Sequence, residues 1–147
     1  MNITEKKAFC RQLIDTVWNE GKVDALDKFA APNHKYTDPA ASYTATGIEP
    51  LKKYALSLRK AFPDLHFKFE DQIAEGDKVV SFLTVTGTHE AEFLGIPASH
   101  KKASLPLILI HRFEGDKIVE AFGLWDALSF ARIAGAFEMH EPIFAGL

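Results

Sequence analysis

The chain has 147 residues, and its 17 lysines and arginines against 20 aspartates and glutamates leave a formal charge of −3. That length suits one domain with a sizeable core, and the basic residues are scattered rather than gathered into a run that could track phosphates, which sets nucleic acid aside as a partner. No stretch approaches the ~20 apolar residues that span a bilayer, and the segment Met1-Asn-Ile-Thr-Glu-Lys-Lys7 lacks the apolar core of a signal peptide, so the protein is read as cytoplasmic with no membrane partner.

Thr4 to Glu20 carries an apolar stripe at helical spacing, Phe9, Leu13 and Val17 with Cys10, Ile14 and Trp18, and Gly21 supplies a stop. The single cysteine, Cys10, lies on that stripe and is read as a packed thiol. Val23, Leu26 and Phe29 suggest a short second helix that ends before Pro32, and His34 to Ala45 reads as a short strand and a polar loop. A third helix starts at Thr46-Gly-Ile-Glu-Pro50 and runs through Leu51, Tyr54, Leu58 and Phe62 until Pro63 stops it.

After Pro63 the period changes to two, with Leu65, Phe67 and Phe69 alternating with His66, Lys68 and Glu70. Glu75-Gly-Asp-Lys78 and Glu114-Gly-Asp-Lys117 are two hairpin turns with the same letters. Counting outward from Gly115-Asp116 pairs Phe113 with Ile118, His111 with Glu120, Leu109 with Phe122, Leu107 with Leu124 and Leu105 with Asp126. The other face of this hairpin carries Ile108, Ile110, Val119, Ala121 and Trp125, so both faces are apolar and both need cover: helices on one, a second copy of the chain on the other. Helices followed by a long antiparallel sheet predict an α+β domain over residues 1–135, with a short helix over Ala127 to Ala134 and an apolar tail over residues 136–147.

Asp126 follows Phe122 and Leu124 on one alternating face, and a carboxylate in apolar surroundings can exchange protons near neutral pH. It also stands where an N-cap of the following helix would stand, and the position alone leaves both roles open. His111 is not its partner: six positions along the strand is roughly 20 Å, and a cross-strand pair with Glu120 is the reading for that histidine. His34 and Tyr36 share one face of the first strand, where either can line a pocket, and Asp38 is assigned to an Asp-Pro turn. The histidines show no metal-ligand spacing, and there is no Gly-rich phosphate loop or nucleophile elbow, which disfavours a metal site, a nucleotide enzyme and a serine hydrolase.

Several segments together resemble the SnoaL-like polyketide cyclases of the nuclear transport factor 2-like superfamily: Val17-Trp-Asn-Glu-Gly21, Ala61-Phe-Pro-Asp-Leu65, Glu75-Gly-Asp-Lys-Val-Val80, Gly87-Thr-His89, Glu92-Phe-Leu-Gly-Ile-Pro97, and Arg112-Phe113 through Lys117-Ile-Val-Glu120 to Asp126. The resemblance covers most of residues 5–135. It implies a cone-shaped curved antiparallel sheet with N-terminal helices enclosing an apolar pocket, a homodimer through the sheet, and no metal or organic cofactor. It places the family's acid/base aspartate on Asp126 and its Gly-Thr-His on His89. Departures stand beside it: Thr37-Asp38-Pro39 replaces the common His-Asp-Pro, Phe122 and His111 stand where tryptophan and tyrosine are common, and Pro106 interrupts a strand.

The expectation is a cofactor-free acid/base enzyme of the polyketide cyclase (intramolecular aldol) or isomerase type acting on a small apolar carbonyl compound. Asp126 and His89 are the expected catalytic residues, and Tyr36, His34, Trp18, Phe122, Leu124, Leu107 and Leu109 the expected substrate contacts. A non-catalytic small-molecule binding protein is the alternative, and an epoxide hydrolase ranks third because Asp126 has no polar set beside it to hold a water.

Overall fold

A computed structural model describes residues 1–138. Residues 139–147 of the expected tail lie outside the described residues. Helix α1 (Ile3–Leu13) opens on a capping box in which the Asn2 side chain accepts from the Glu5 N–H and the Glu5 carboxylate accepts from the Asn2 N–H. It widens at once into a π turn over Ile14–Asn19, where the Glu20 N–H donates to the Asp15 carbonyl five residues back (2.9 Å). Such turns are rare and often stand at functional sites; here it carries Ile14 and Trp18 into the interior.

A 3-10 turn (Val23–Ala25) leads to the short α2 (Leu26–Phe29), then β1 (Ala30–Asp38), β2 (Tyr43–Thr46), α3 (Ile48–Ala61), β3 (His66–Glu75), β4 (Lys78–Thr88), β5 (Lys102–Glu114), β6 (Lys117–Trp125) and α4 (Ala127–Ile133). The strands form one curved sheet in the order β2-β1-β6-β5-β4-β3. It is antiparallel except where β1 runs parallel to β6, a junction the long connection through the helices and hairpins makes possible. The fold is α+β, as the switch from helical to alternating period predicts. The core lies between the helices and the inner face of the sheet, around Leu13, Val17, Leu26, Leu51, Leu83 and Ile118. Full burial of such a side chain stabilises the fold by roughly 1.5–3 kcal/mol.

Both Gly-Asp hairpins form as two-residue turns, Glu75 opposite Lys78 and Glu114 opposite Lys117, with Gly76 and Gly115 each at φ +59°. The register predicted beyond Gly115-Asp116 does not survive. Phe113 pairs with Ile118, but then Arg112 pairs with Glu120, so Val119 is an extra residue on β6. This bulge shifts every later pair by one and turns the rest of β6 over: His111 faces Ala121, Ile110 faces Phe122, Leu109 faces Gly123, Ile108 faces Leu124 and Leu107 faces Trp125. Glu120 is therefore the partner of Arg112, with bonds of 3.0 and 3.1 Å, and not of His111. Pro106 does not interrupt β5. It lies one residue past the last β5–β6 pair, where β6 has ended and no partner on that side requires an N–H.

Candidate functional site

Helix α1, the π turn and α3 stand over the concave face of the sheet and leave a cavity of about 110 Å³ between them. Its wall is mostly apolar, with Leu13 and Ile14 on one side, Leu51 and Leu58 above, and Leu105, Leu107 and Leu109 of β5 below. Against this wall stand a few polar groups: Asp38, Tyr36 and His34 from β1, Tyr54 from α3, His111 from β5 and the indole of Trp125 from β6.

Asp38 is 0 % exposed. Its carboxylate accepts from the Ala40 and Ala41 N–H groups (3.1 and 3.4 Å), the turn bonds expected of an Asp-Pro pair. The same carboxylate lines the cavity and accepts from Trp125 Nε1, at 3.1 Å to each oxygen, and from the Tyr54 hydroxyl (3.3 Å). The Tyr36 ring packs 5.4 Å from that of Tyr54, which stacks on Tyr43 at 4.9 Å. Burial above all, with the Asp38 charge adding to it, pushes the Tyr36 and Tyr54 phenols well above the usual tyrosine range, so both remain hydrogen-bond donors. Gly123 makes room for this group: a Cβ there would meet the Tyr36 hydroxyl at 3.1 Å and Leu109 Cδ2 at 3.3 Å.

His34 and His111 also line the cavity, His34 four residues before Asp38 on β1 and His111 in the row of Tyr36 and Ala121. Burial lowers the His34 imidazole to about 4 against the pull of Glu120, and burial reinforced by His34 lowers His111 to about 4, so both are neutral near pH 7.

The expected site residues are not all brought together. Tyr36, His34, Trp18, Leu107 and Leu109 line the cavity. Phe122 and Leu124 do not: the bulge at Val119 turns them to the convex face, where they are 38 % and 53 % exposed, and puts Ala121, Gly123 and Trp125 inward instead. Asp126 is no longer in the strand and is not part of the cavity wall. It caps α4, Oδ1 accepting from the Ser129 N–H (3.0 Å) and Oδ2 from the Ser129 hydroxyl (2.6 Å). Those two bonds hold its carboxyl below the usual aspartate range.

His89 is 1 % exposed and sits within an aromatic cluster rather than at the cavity mouth, stacked on Phe62 (5.5 Å) and edge-on to Phe130 (5.1 Å). Its Nδ1 accepts from the Ser99 N–H (3.2 Å), and burial lowers its pKa, so it ties the loop after β4 to the core. Sequence reasoning missed Asp38, Tyr54, Trp125 and His111 as cavity residues. The alternation His34, Tyr36, Asp38 carries the signal for the first of these and the alternation Leu107, Leu109, His111 for the last; Trp125 depends on the bulge and Tyr54 on how α3 lies across the sheet. Among the described residues no three His, Cys, Asp or Glu side chains are grouped as metal ligands would be, and no helix is long and apolar enough to cross a membrane.

The chain matches the profile of the SnoaL-like polyketide cyclases over residues 8–132. No curated protein matches it. Among solved structures it is similar to TsrD from Streptomyces laurentii, at 27 % identity and a TM-score of 0.83 over 93 % of this chain and 99 % of that one. It is similar to a candidate polyketide cyclase from Acidithiobacillus ferrooxidans at 29 % identity and a TM-score of 0.76, over 93 % of this chain and 100 % of that one. AclR, a candidate hydroxylase from Streptomyces galilaeus, matches at 26 % identity and a TM-score of 0.80 over the same shares.

Proposed function

The chain belongs to the SnoaL-like polyketide cyclase family, and from that membership we propose that it is an acid/base enzyme of the cyclase or isomerase type, acting without a cofactor on a small apolar carbonyl compound. The observation that carries this is Asp38, the one carboxylate among the described residues that lines the cavity, fully buried beside two protonated phenols.

In this reading Asp38 takes a proton from carbon next to the substrate carbonyl, and the C–H electron pair moves onto the carbonyl oxygen as an enolate. The Tyr36 hydroxyl donates to that oxygen as charge develops, the arrangement that lowers such barriers most. In a cyclisation the enolate carbon then attacks a second carbonyl of the same molecule, and the proton held by Asp38 returns to the new alkoxide; in an isomerisation it returns to a different carbon. Trp125 and Tyr54 hold the carboxylate in place. The cavity volume of about 110 Å³ compares with the ~150 Å³ cavity that holds benzene, which favours a substrate of about one ring.

The test needs no knowledge of the natural substrate. In D2O, a small aromatic ketone such as acetophenone should exchange its α-protons faster in the presence of the protein, followed by NMR. A carboxylate base contributes on the order of 10²–10⁴ to such a transfer, so Asp38→Asn should remove the catalysed exchange. Unchanged exchange in the variant, or ligand binding without any exchange, overturns the reading in favour of a different base or a non-catalytic binding protein.

The second proposal for this fold is a homodimer through the convex face. Phe82, Ile108 and Leu124 form one cross-strand row there and Val80, Ile110 and Phe122 the next, so the apolar patch is continuous over three central strands. Contiguous patches of this kind mark interaction surfaces, and a second copy supplies the same apolar rows in return. Phe122→Lys with Leu124→Lys should give a monomer in sedimentation velocity where the parent protein is a dimer; a parent that sediments as a monomer overturns it.

A further inference from the structure

The cavity holds polar groups that the chemistry proposed for Asp38 does not use. His34 and His111 are each 3 % exposed, both line the cavity, and each has a buried Nδ1 with no hydrogen-bond partner. A buried polar atom without a partner is costly and uncommon, and two of them on the wall of one cavity mark a place where something else supplies the bonds.

The sheet brings the two rings together. Tyr36, Ala121 and His111 form one row across β1, β6 and β5, and His34 precedes Tyr36 by two residues on the same face. In that row β6 offers only the methyl of Ala121 between Tyr36 and His111, and His34 is near enough to His111 to lower its pKa further. Ala30 and Ile118, paired further along β1 and β6, also line the wall and carry no polar side-chain atoms. Asp38 lies four residues along β1 from His34, about 13 Å of strand, and two residues from the row that holds Tyr36 and His111, so Tyr36 stands between the carboxylate and His34 on the cavity face.

We propose that His34 and His111 form a second polar subsite that holds a neutral oxygen of the substrate, a hydroxyl or an enolised ketone. The substrate class is thereby narrowed to carbonyl compounds with a second oxygen function remote from the reacting carbonyl. This deepens the reading of the cavity given above and rests on it. Each neutral imidazole offers one donor and one acceptor. A hydroxyl, which both donates and accepts, can pair with both rings at once. A carboxylate can only accept and would leave one acceptor nitrogen facing it. A cation would find no carboxylate in the cavity wall directly beside the two rings, since the one carboxylate there, Asp38, lies beyond Tyr36.

The experiment compares two non-natural probes that differ in one oxygen, acetophenone and 4′-hydroxyacetophenone, by calorimetric titration. Discrimination by a site built to pair a hydroxyl is large, and on the order of tenfold tighter binding of the hydroxylated probe is expected. That ratio should fall to within about twofold in His34→Phe/His111→Phe. A wild-type protein that does not prefer the hydroxylated probe, or a preference that survives the double substitution, overturns the proposal. Should the variant fail to fold, the imidazole 15N spectrum of the wild-type protein gives the same decision: the Nδ1 signals of both histidines move with 4′-hydroxyacetophenone and not with acetophenone. Movement with both probes or with neither overturns it. Binding alone is read here, so a failure leaves the Asp38 exchange experiment standing, and a failure of that experiment leaves this one standing.

Discussion

Asp38 and Asp126 stand at the same end of the sheet, at the ends of two strands that lie side by side and run parallel. Each accepts hydrogen bonds from the chain just beyond it, Asp38 from Ala40 and Ala41 and Asp126 from Ser129. They differ in what reaches them from elsewhere. Asp38 keeps the inward phase of Tyr36 and gathers the Trp125 indole and the Tyr54 hydroxyl from other elements, whereas both oxygens of Asp126 are taken up within the first turn of α4. A carboxylate becomes a site through groups brought from distant parts of the chain, and apolar letters beside it in sequence do not supply them.

The largest effect that sharpens this contrast is on stability in acid. His34 and His111 have folded pKa values of about 4, below the ~6.5 of the unfolded chain, so the unfolded state binds more protons between those values. Their contribution is complete above the unfolded value and is lost as pH falls through the folded one. Urea unfolding at pH 7 and pH 5 should therefore differ by roughly 2 kcal/mol for each histidine. The difference should shrink in His111→Phe and be unaltered in Asp126→Asn, which places acid sensitivity at the cavity and not at the cap. Next comes chemistry: Asp38→Asn should lower α-proton exchange by about 100-fold or more, and Asp126→Asn by less than about threefold if its role is a cap. A large loss in the second variant would reverse the comparison.

Much of the fold was legible because periodicity and turn letters are local. The first helix follows from Phe9, Leu13 and Val17, and the hairpins from Gly76 and Gly115. His34 and Tyr36 on β1 and Leu107 and Leu109 on β5 were legible for the same reason, and Asp38 and His111, missed as cavity residues, continue the same two alternations. The site failed where phase could not be counted from letters. Val119 is a β-branched residue that looks like any other in the strand, yet its bulge decides which half of β6 faces inward. The assignment of Asp38 to a turn was sound as local chemistry and silent about the cavity, because a turn's backbone bonds leave room for donors arriving from Trp125, a separation in sequence of 87 residues.

Two smaller effects probe each side. Gly123→Ala puts a methyl against the Tyr36 hydroxyl and Leu109 and should cost about 1–3 kcal/mol by overpacking, with the Asp38 exchange reaction slowed as Tyr36 shifts; calorimetric melting and the exchange assay report both. Asp126→Ala should cost about 1 kcal/mol through loss of the N-cap and leave exchange intact. Because bonding holds the Asp126 carboxyl below its unfolded value, the cap's electrostatic share is present above the unfolded pKa and fades only as pH falls through the lower folded one.

The extra residue at Val119 makes chain length in one strand a control over what the protein offers to its surroundings. Removing that residue would rotate the second half of β6 by half a turn, sending Phe122 and Leu124 inward to fill the binding space and Trp125 outward. One codon's deletion would thus exchange a ligand-facing surface for a partner-facing one without altering the letters that remain.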